Sequence, residues 1–221
     1  GKFHDNITTS QSGGVIDSVG WTNPITINGG EFYNNKAVNG GVVYLVYTGN
    51  VTINDGKFYN NTATSNGGAL AAGNRAVILT INDGEFYNNT ANNGGAVYMN
   101  TDGGLSTLNM TGGEIYNNTA DNGGALYIAT KAKVTLSAAE GADVGGIIRD
   151  NTASQLASNL YLGGADSSLT VGEKTLLHGG TIAGDVLFAQ GGTVDLADTQ
   201  ALYTNGIEDA ENLVWLKNDT E

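Results

Sequence analysis

The sequence predicts an all-β chain wound as a right-handed parallel β-helix, a solenoid of about eight coils of roughly 27 residues with three short strands per coil. Three observations carry that reading. Residues 79–99, LTINDGEFYNNTANNGGAVYM, recur in close copies along most of the chain, and a unit repeated at fixed period buries its apolar face by stacking on the next copy. Aligned on the apolar residue that follows Gly-Gly in the regular copies, the repeats fall at Ile16, Val43, Leu70, Val97, Leu126, Leu160, Leu187 and Leu213, in steps of 27, 27, 27, 29, 34, 27 and 26. Two more columns keep the same pace: Ile27, Ile53, Ile81, Met110, Leu136, Val171 and Leu196, then Phe3, Phe32, Phe58, Phe86, Ile115 and Ile148.

Each unit reads in order. Val51-Thr52-Ile53-Asn54 alternates aliphatic with polar residues, the period-2 signature of a half-buried strand with Thr outward. Asn-Asp-Gly follows at 54–56 and 82–84, a composition that tolerates positive φ and predicts a turn. In the second strand Phe86 and Asn88 share the inner face and Tyr87 points out. Asn35, Asn61, Asn89, Asn118 and Asn151 come next, where the strand should bend, and stacked amides there predict a hydrogen-bonded ladder from coil to coil. The third strand follows Gly-Gly: Val43, Leu70, Val97, Leu126 and Leu160 face inward, leaving Tyr44, Ala71, Tyr98, Tyr127 and Tyr161 outside. Strands one coil apart run in the same direction, so the sheets are parallel and the crossovers right-handed. The hexapeptide units of a left-handed helix and the consensus of a leucine-rich horseshoe are both missing.

One elongated domain spans 1–221. It divides into a partial first coil over 1–24 with Trp21 and Pro24, regular coils over 25–133, an irregular coil with an insertion at 137–146 over 134–168, and looser coils over 169–221 whose end, with Trp215, is either a last coil or a cap. Smaller insertions at 71–76 and 100–106 gather on one corner, where solenoids commonly place binding loops. Opening in mid-unit at Gly1-Lys2-Phe3 predicts a piece of a longer protein. The net charge of −13 with only nine Lys and Arg excludes the basic footprint that nucleic acid and anionic membranes require. There is no cysteine and no apolar run of about 18 residues, so no disulfide framework and no direct membrane insertion are expected.

Few residues suggest catalysis. Pectinase-like β-helix enzymes need opposed carboxylates within reach of one bond, whereas the outward columns here are mainly Thr and Tyr. Arg149-Asp150 reads as a surface ion pair, and His4 and His178 stand alone. Corner acids such as Asp55, Asp83, Asp102, Glu31, Glu85 and Glu114 read as turn chemistry rather than a calcium cage, because Lys57 breaks the Glu column. No metal and no cofactor is expected. The Thr column at 26, 52, 80, 135 and 170 is interrupted by Asn109, against an ice-binding face. Two outward Tyr columns, Tyr33, Tyr59, Tyr87 and Tyr116, then Tyr44, Tyr98, Tyr127 and Tyr161, are the candidate binding residues, since ring faces can stack on sugars or on a partner's apolar groups.

The pairing of Gly67-Gly68-Ala69-Leu70 with Phe58-Tyr59-Asn60-Asn61, repeated in the next coil, resembles the repeat of chlamydial-type polymorphic outer membrane proteins and β-helical repeats of gut bacterial surface proteins. The resemblance covers roughly residues 1–130. It implies an exported adhesin or passenger segment at a bacterial cell surface. The expectation is a non-enzymatic stalk or adhesin meeting glycan or a host surface protein through Tyr-rich faces and corner loops. The alternative is a polysaccharide lyase or glycoside hydrolase of the pectinase-like type.

Overall fold

A computed structural model describes residues 1–18, 24–46, 49–73, 77–100, 104–165, 167–172, 174–178, 186–188, 192–196 and 213–214. Trp21, Asp102, Trp215 and residues 179–185 lie outside the described residues. The described elements are all strands, wound as a parallel β-solenoid. A twelve-stranded sheet and an eight-stranded sheet form the long walls, and two two-stranded sheets lie on a narrower third face.

Register between coils puts like on like. Ile27, Ile53, Ile81, Met110, Leu136, Val171 and Leu196 are successive partners. So are Phe3, Phe32, Phe58, Phe86, Ile115 and Ile148, and Leu177 extends that column. Phe32, Phe58 and Phe86 stack nearly parallel at centroid separations of 4.8 and 4.5 Å. Phe58 is 1% and Phe86 0% exposed, and burial of such a side chain contributes about 1.5–3 kcal/mol.

The Gly-Gly pair sets the approach of neighbouring coils. Gly67 and Gly94 sit at φ 64 and 66, the left-handed region that favours glycine. A Cβ on Gly68 would collide with the Gly95 carbonyl of the next coil. The repeat therefore keeps glycine at both positions.

The structure redraws several details. The first and second strands belong to one sheet, and Ile25–Tyr33 and Asn50–Tyr59 run through the Asn-Asp-Gly segment without ending. Gly29 and Gly56, each at φ 140, bend the chain there, and the register shifts instead of breaking. At the next corner Asn34, Asn60, Asn88, Asn117 and Asp150 hold φ between 53 and 56. That left-handed residue upsets the alternation, so Asn88 is exposed and Asn89 buried. A short strand then follows, as in Lys36–Asn39 beside Thr62–Asn66 and Thr119–Asn122 beside Thr152–Leu156. Its inward residue is a buried alanine in each coil, Ala37, Ala63, Ala91, Ala120 and Ala153.

Three more expectations are corrected. Ala71 is buried, 0% exposed, because Tyr44 and Tyr98 flank it in register and shade so small a side chain. Leu160 pairs with Val186 rather than Leu187, a one-residue offset where no Gly-Gly sets the strand start. Leu213 pairs antiparallel with Leu187, so it does not continue the parallel stack. Among the described residues the parallel stack is thus shorter than the eight coils that the sequence columns suggest. Among the described residues the first copy supplies the strands Lys2–His4 and Ile16–Ser18, and the last copies contribute separate strands at Leu176–His178, Val186–Phe188 and Gly192–Leu196.

Candidate functional site

Alternation in the second strand turns Tyr33, Tyr59, Tyr87 and Tyr116 out of the core while their Phe and Ile neighbours point in. In-register pairing then stacks the rings, with centroids 5.0, 5.0 and 5.1 Å apart. The stack is continued at both ends. His4 lies on Tyr33 at 4.7 Å, and the Arg149 guanidinium sits 4.7 Å over the Tyr116 ring, a cation–π contact.

Two residues earlier on the same strands, hence on the same face, runs a row of charges: Lys2, Glu31, Lys57, Glu85 and Glu114. Lys2 pairs with Glu31 at 3.2 Å and Lys57 with Glu85 at 2.6 Å, while Arg149 pairs with Glu114 and, at 2.7 Å, with Asp150. The Tyr59 hydroxyl donates to Glu31 and the Tyr116 hydroxyl to Glu85, each at 3.2 Å. The bond from Lys2 lowers the Glu31 carboxyl below its usual range, and the bond to Glu85 raises the Lys57 ammonium. Burial and then the bond to Glu85 push the Tyr116 hydroxyl up to about 12. Aromatic rings and ion pairs thus form one knitted face. A third row follows at the corner, where Asn82 donates to Asn54 at 2.8 Å and Asn54 to Asn28 at 2.7 Å.

The second Tyr column lies on the eight-stranded sheet. Tyr98, Tyr127 and Tyr161 stack at 5.5 and 4.3 Å, half-buried, and burial followed by Tyr161 pushes the Tyr127 hydroxyl up to about 12. Tyr44 stands one coil beyond the gap left by Ala71. The structure does not bring the two columns together, since they occupy different sheets.

Behind the corner, Asn35, Asn61, Asn89, Asn118 and Asn151 are at most 1% exposed. Each Nδ2 donates to the next Asn Oδ1 at 2.9–3.0 Å, and Asn151 ends the run on Asn159. Each Nδ2 also donates to a carbonyl one coil back, at Phe3, Phe32, Phe58, Phe86 and Ile115. The ladder therefore fixes the register of the Phe column, and with it that of the Tyr column one residue away.

In the sequence the Glu column, broken by Lys57, reads as turn chemistry, although Glu31-Phe32-Tyr33, Lys57-Phe58-Tyr59 and Glu85-Phe86-Tyr87 carry the signal of a charge two residues before each outward ring. Also missed was a cavity of ≈ 450 Å³ at the Asn-Asp-Gly corner, lined by Asp83, Glu85, Glu114 and the 137–146 insertion. Among the described residues no group of three or more His, Asp and Glu side chains is placed to hold a metal. His4 bonds its neighbour Asp5 at 2.7 Å, and the Arg149–Asp150 pair serves as an end-cap for the Tyr stack. No described helix is long and apolar enough to cross a membrane.

Residues 48–73 and 83–100 match the model of the Chlamydia polymorphic membrane protein repeat. The family is one of bacterial outer-membrane and surface proteins. No curated protein and no solved structure matches the chain.

Proposed function

We propose that this β-solenoid is a non-enzymatic extracellular segment of a bacterial surface protein, a stalk whose Tyr-and-charge face serves as an adhesin for glycan. The single observation that carries this reading is the unbroken outer stack of Tyr33, Tyr59, Tyr87 and Tyr116 beside its row of charged groups, Glu31, Lys57, Glu85 and Glu114. Ring faces offer an apolar platform to the C–H faces of sugars, and carboxylates accept hydroxyl hydrogen bonds. A rigid repeat presents an outward ring beside a charged group at each of these coils, which suits a polymeric ligand with its own repeat. The matched repeat type supports placement at the cell surface. A host surface protein is a second ligand class for the same face, through its exposed apolar groups.

The enzymatic alternative, a polysaccharide lyase or glycoside hydrolase, draws on Asp83, Glu85 and Glu114 meeting at one corner. Each is already engaged: Asp83 by the Gly84 N–H at 2.8 Å, Glu85 by Lys57 and Tyr116, Glu114 by Arg149. That occupancy favours a binding face over acid–base chemistry.

A glycan array probed with the wild-type chain and a Tyr59→Ala/Tyr87→Ala/Tyr116→Ala variant, with sugar products monitored, tests the proposal. Binding lost in the variant without cleavage supports it. Release of cleaved sugar overturns it in favour of the enzyme, and wild-type binding to nothing on the array overturns the glycan half.

A further inference from the structure

The 137–146 insertion interrupts the repeat at the end of the regular coils, and it is a pinned arch. Its Ala139 N–H donates to the Thr111 carbonyl at 3.1 Å, and Gly146 N–H closes onto Ser137 at 3.1 Å. From the next coil, the Lys174 carbonyl accepts from Gly145 N–H at 2.8 Å while its ammonium donates to the Ala142 carbonyl at 2.7 Å. Under the arch lies the cavity of ≈ 450 Å³, within the range of about 300–1,000 Å³ common to small-ligand clefts. Its floor is the backbone of Gly84, Gly112 and Gly113, where a Cβ on either of the last two would strike a carbonyl of the coil below. Three carboxylates, Asp83, Glu85 and Glu114, line the walls together with apolar Val144 and Ile147.

We propose that this cavity is a subsite for one uncharged pyranose unit, a neutral hexose or N-acetylhexosamine, and that it anchors a glycan whose following units lie on Tyr116 and Tyr87. The proposal rests on the glycan reading of the Tyr face and deepens it. The charge balance selects the ligand class. Lys57 and Arg149 neutralise Glu85 and Glu114 from outside the cavity, yet leave carboxylate lone pairs free to accept hydroxyls. Among the described residues the charged side chains that line the cavity are all carboxylates, so a uronate, sialate or phosphate gains no lining cation there. Continuity sets the direction. Glu85, in the cavity wall, accepts the Tyr116 hydroxyl at 3.2 Å, and Glu114 stands two residues before Tyr116 on the same strand.

Ala142 and Val144 lie in the arch outside any strand, so Ala142→Trp and Val144→Trp each fill the cavity without touching the core. Wild type, both variants and the Tyr59→Ala/Tyr87→Ala pair are run on an array of neutral, uronate-bearing and sialylated glycans, with melting temperatures in parallel. The expected result is binding to neutral-ended glycans that falls at least tenfold in both Trp variants, with melting unchanged. Undiminished binding in either folded Trp variant overturns the cavity and leaves the Tyr-face reading standing if the Tyr variant loses binding. Wild-type binding confined to acidic glycans overturns the cavity alone. Wild-type binding to no glycan overturns both.

Discussion

Asn89 shows what one residue type does in this fold. Its amide donates to Asn118 Oδ1 and to the Phe58 carbonyl, and its oxygen accepts from both the backbone N–H and the Nδ2 of Asn61. Removing it orphans several buried groups at once, and each orphan costs about 1–3 kcal/mol. Asn89→Ala is expected to lose roughly 2–4 kcal/mol in urea unfolding, where a solvated surface asparagine would lose little. The opposite change is available one ladder away. Asn122 Nδ2 donates to Asn93, which donates to Asn66, but the Asn122 Oδ1 is buried without a partner because the in-register residue of the next coil is Leu156. Leu156 is 41% exposed. Leu156→Asn would extend the ladder in its existing direction and is expected to add about 1 kcal/mol, read as a raised melting temperature.

Elements respond to solvent through their stacked tyrosines. The Tyr116 and Tyr127 hydroxyls are raised from 10.0 to about 12, so the folded state holds its protons where the unfolded chain releases them. Their contribution to stability is complete below pH 10 and is lost as the pH climbs through about 12. Alkaline melting curves should stay flat up to about pH 10 and fall beyond it, and Tyr127→Phe should soften the fall. A fall that begins well below pH 10 would contradict the assignment. The elements themselves were unequally legible. Inward columns such as Ile53 and Phe58 stood out because strand period and coil period both preserve them. The short alanine strand, Ala63 among its residues, did not, since a lone small residue between polar ones carries no periodic signal. Neither did the Leu187 offset, because register there depends on backbone pairing that no Gly-Gly announces. Both Tyr columns, on their separate sheets, were readable, whereas the cavity was not. It exists only because residues from three coils meet beneath the arch.

As a whole molecule the chain stacks coils, and each coil contacts mainly its two neighbours. Stability is therefore shared along the axis, and the Gly-Gly seam is where any coil can be pushed from the next. Gly68→Ala would drive a methyl against the Gly95 carbonyl, and a loss of about 1–3 kcal/mol is expected in urea unfolding. The central claim is that one alternating strand, repeated in register, builds the core on one side and the outer Tyr-and-charge face on the other. Comparing Phe86→Ser with Tyr87→Ser in urea unfolding tests it most directly, because the two residues are neighbours in Glu85–Tyr87. Phe86→Ser should cost about 3–5 kcal/mol through the cavity it opens. Tyr87→Ser should cost about 2 kcal/mol or less, the loss of its two stacked pairs, with Tyr59 and Tyr116, on an outer face. Equal losses, or the larger loss at Tyr87, would contradict the account.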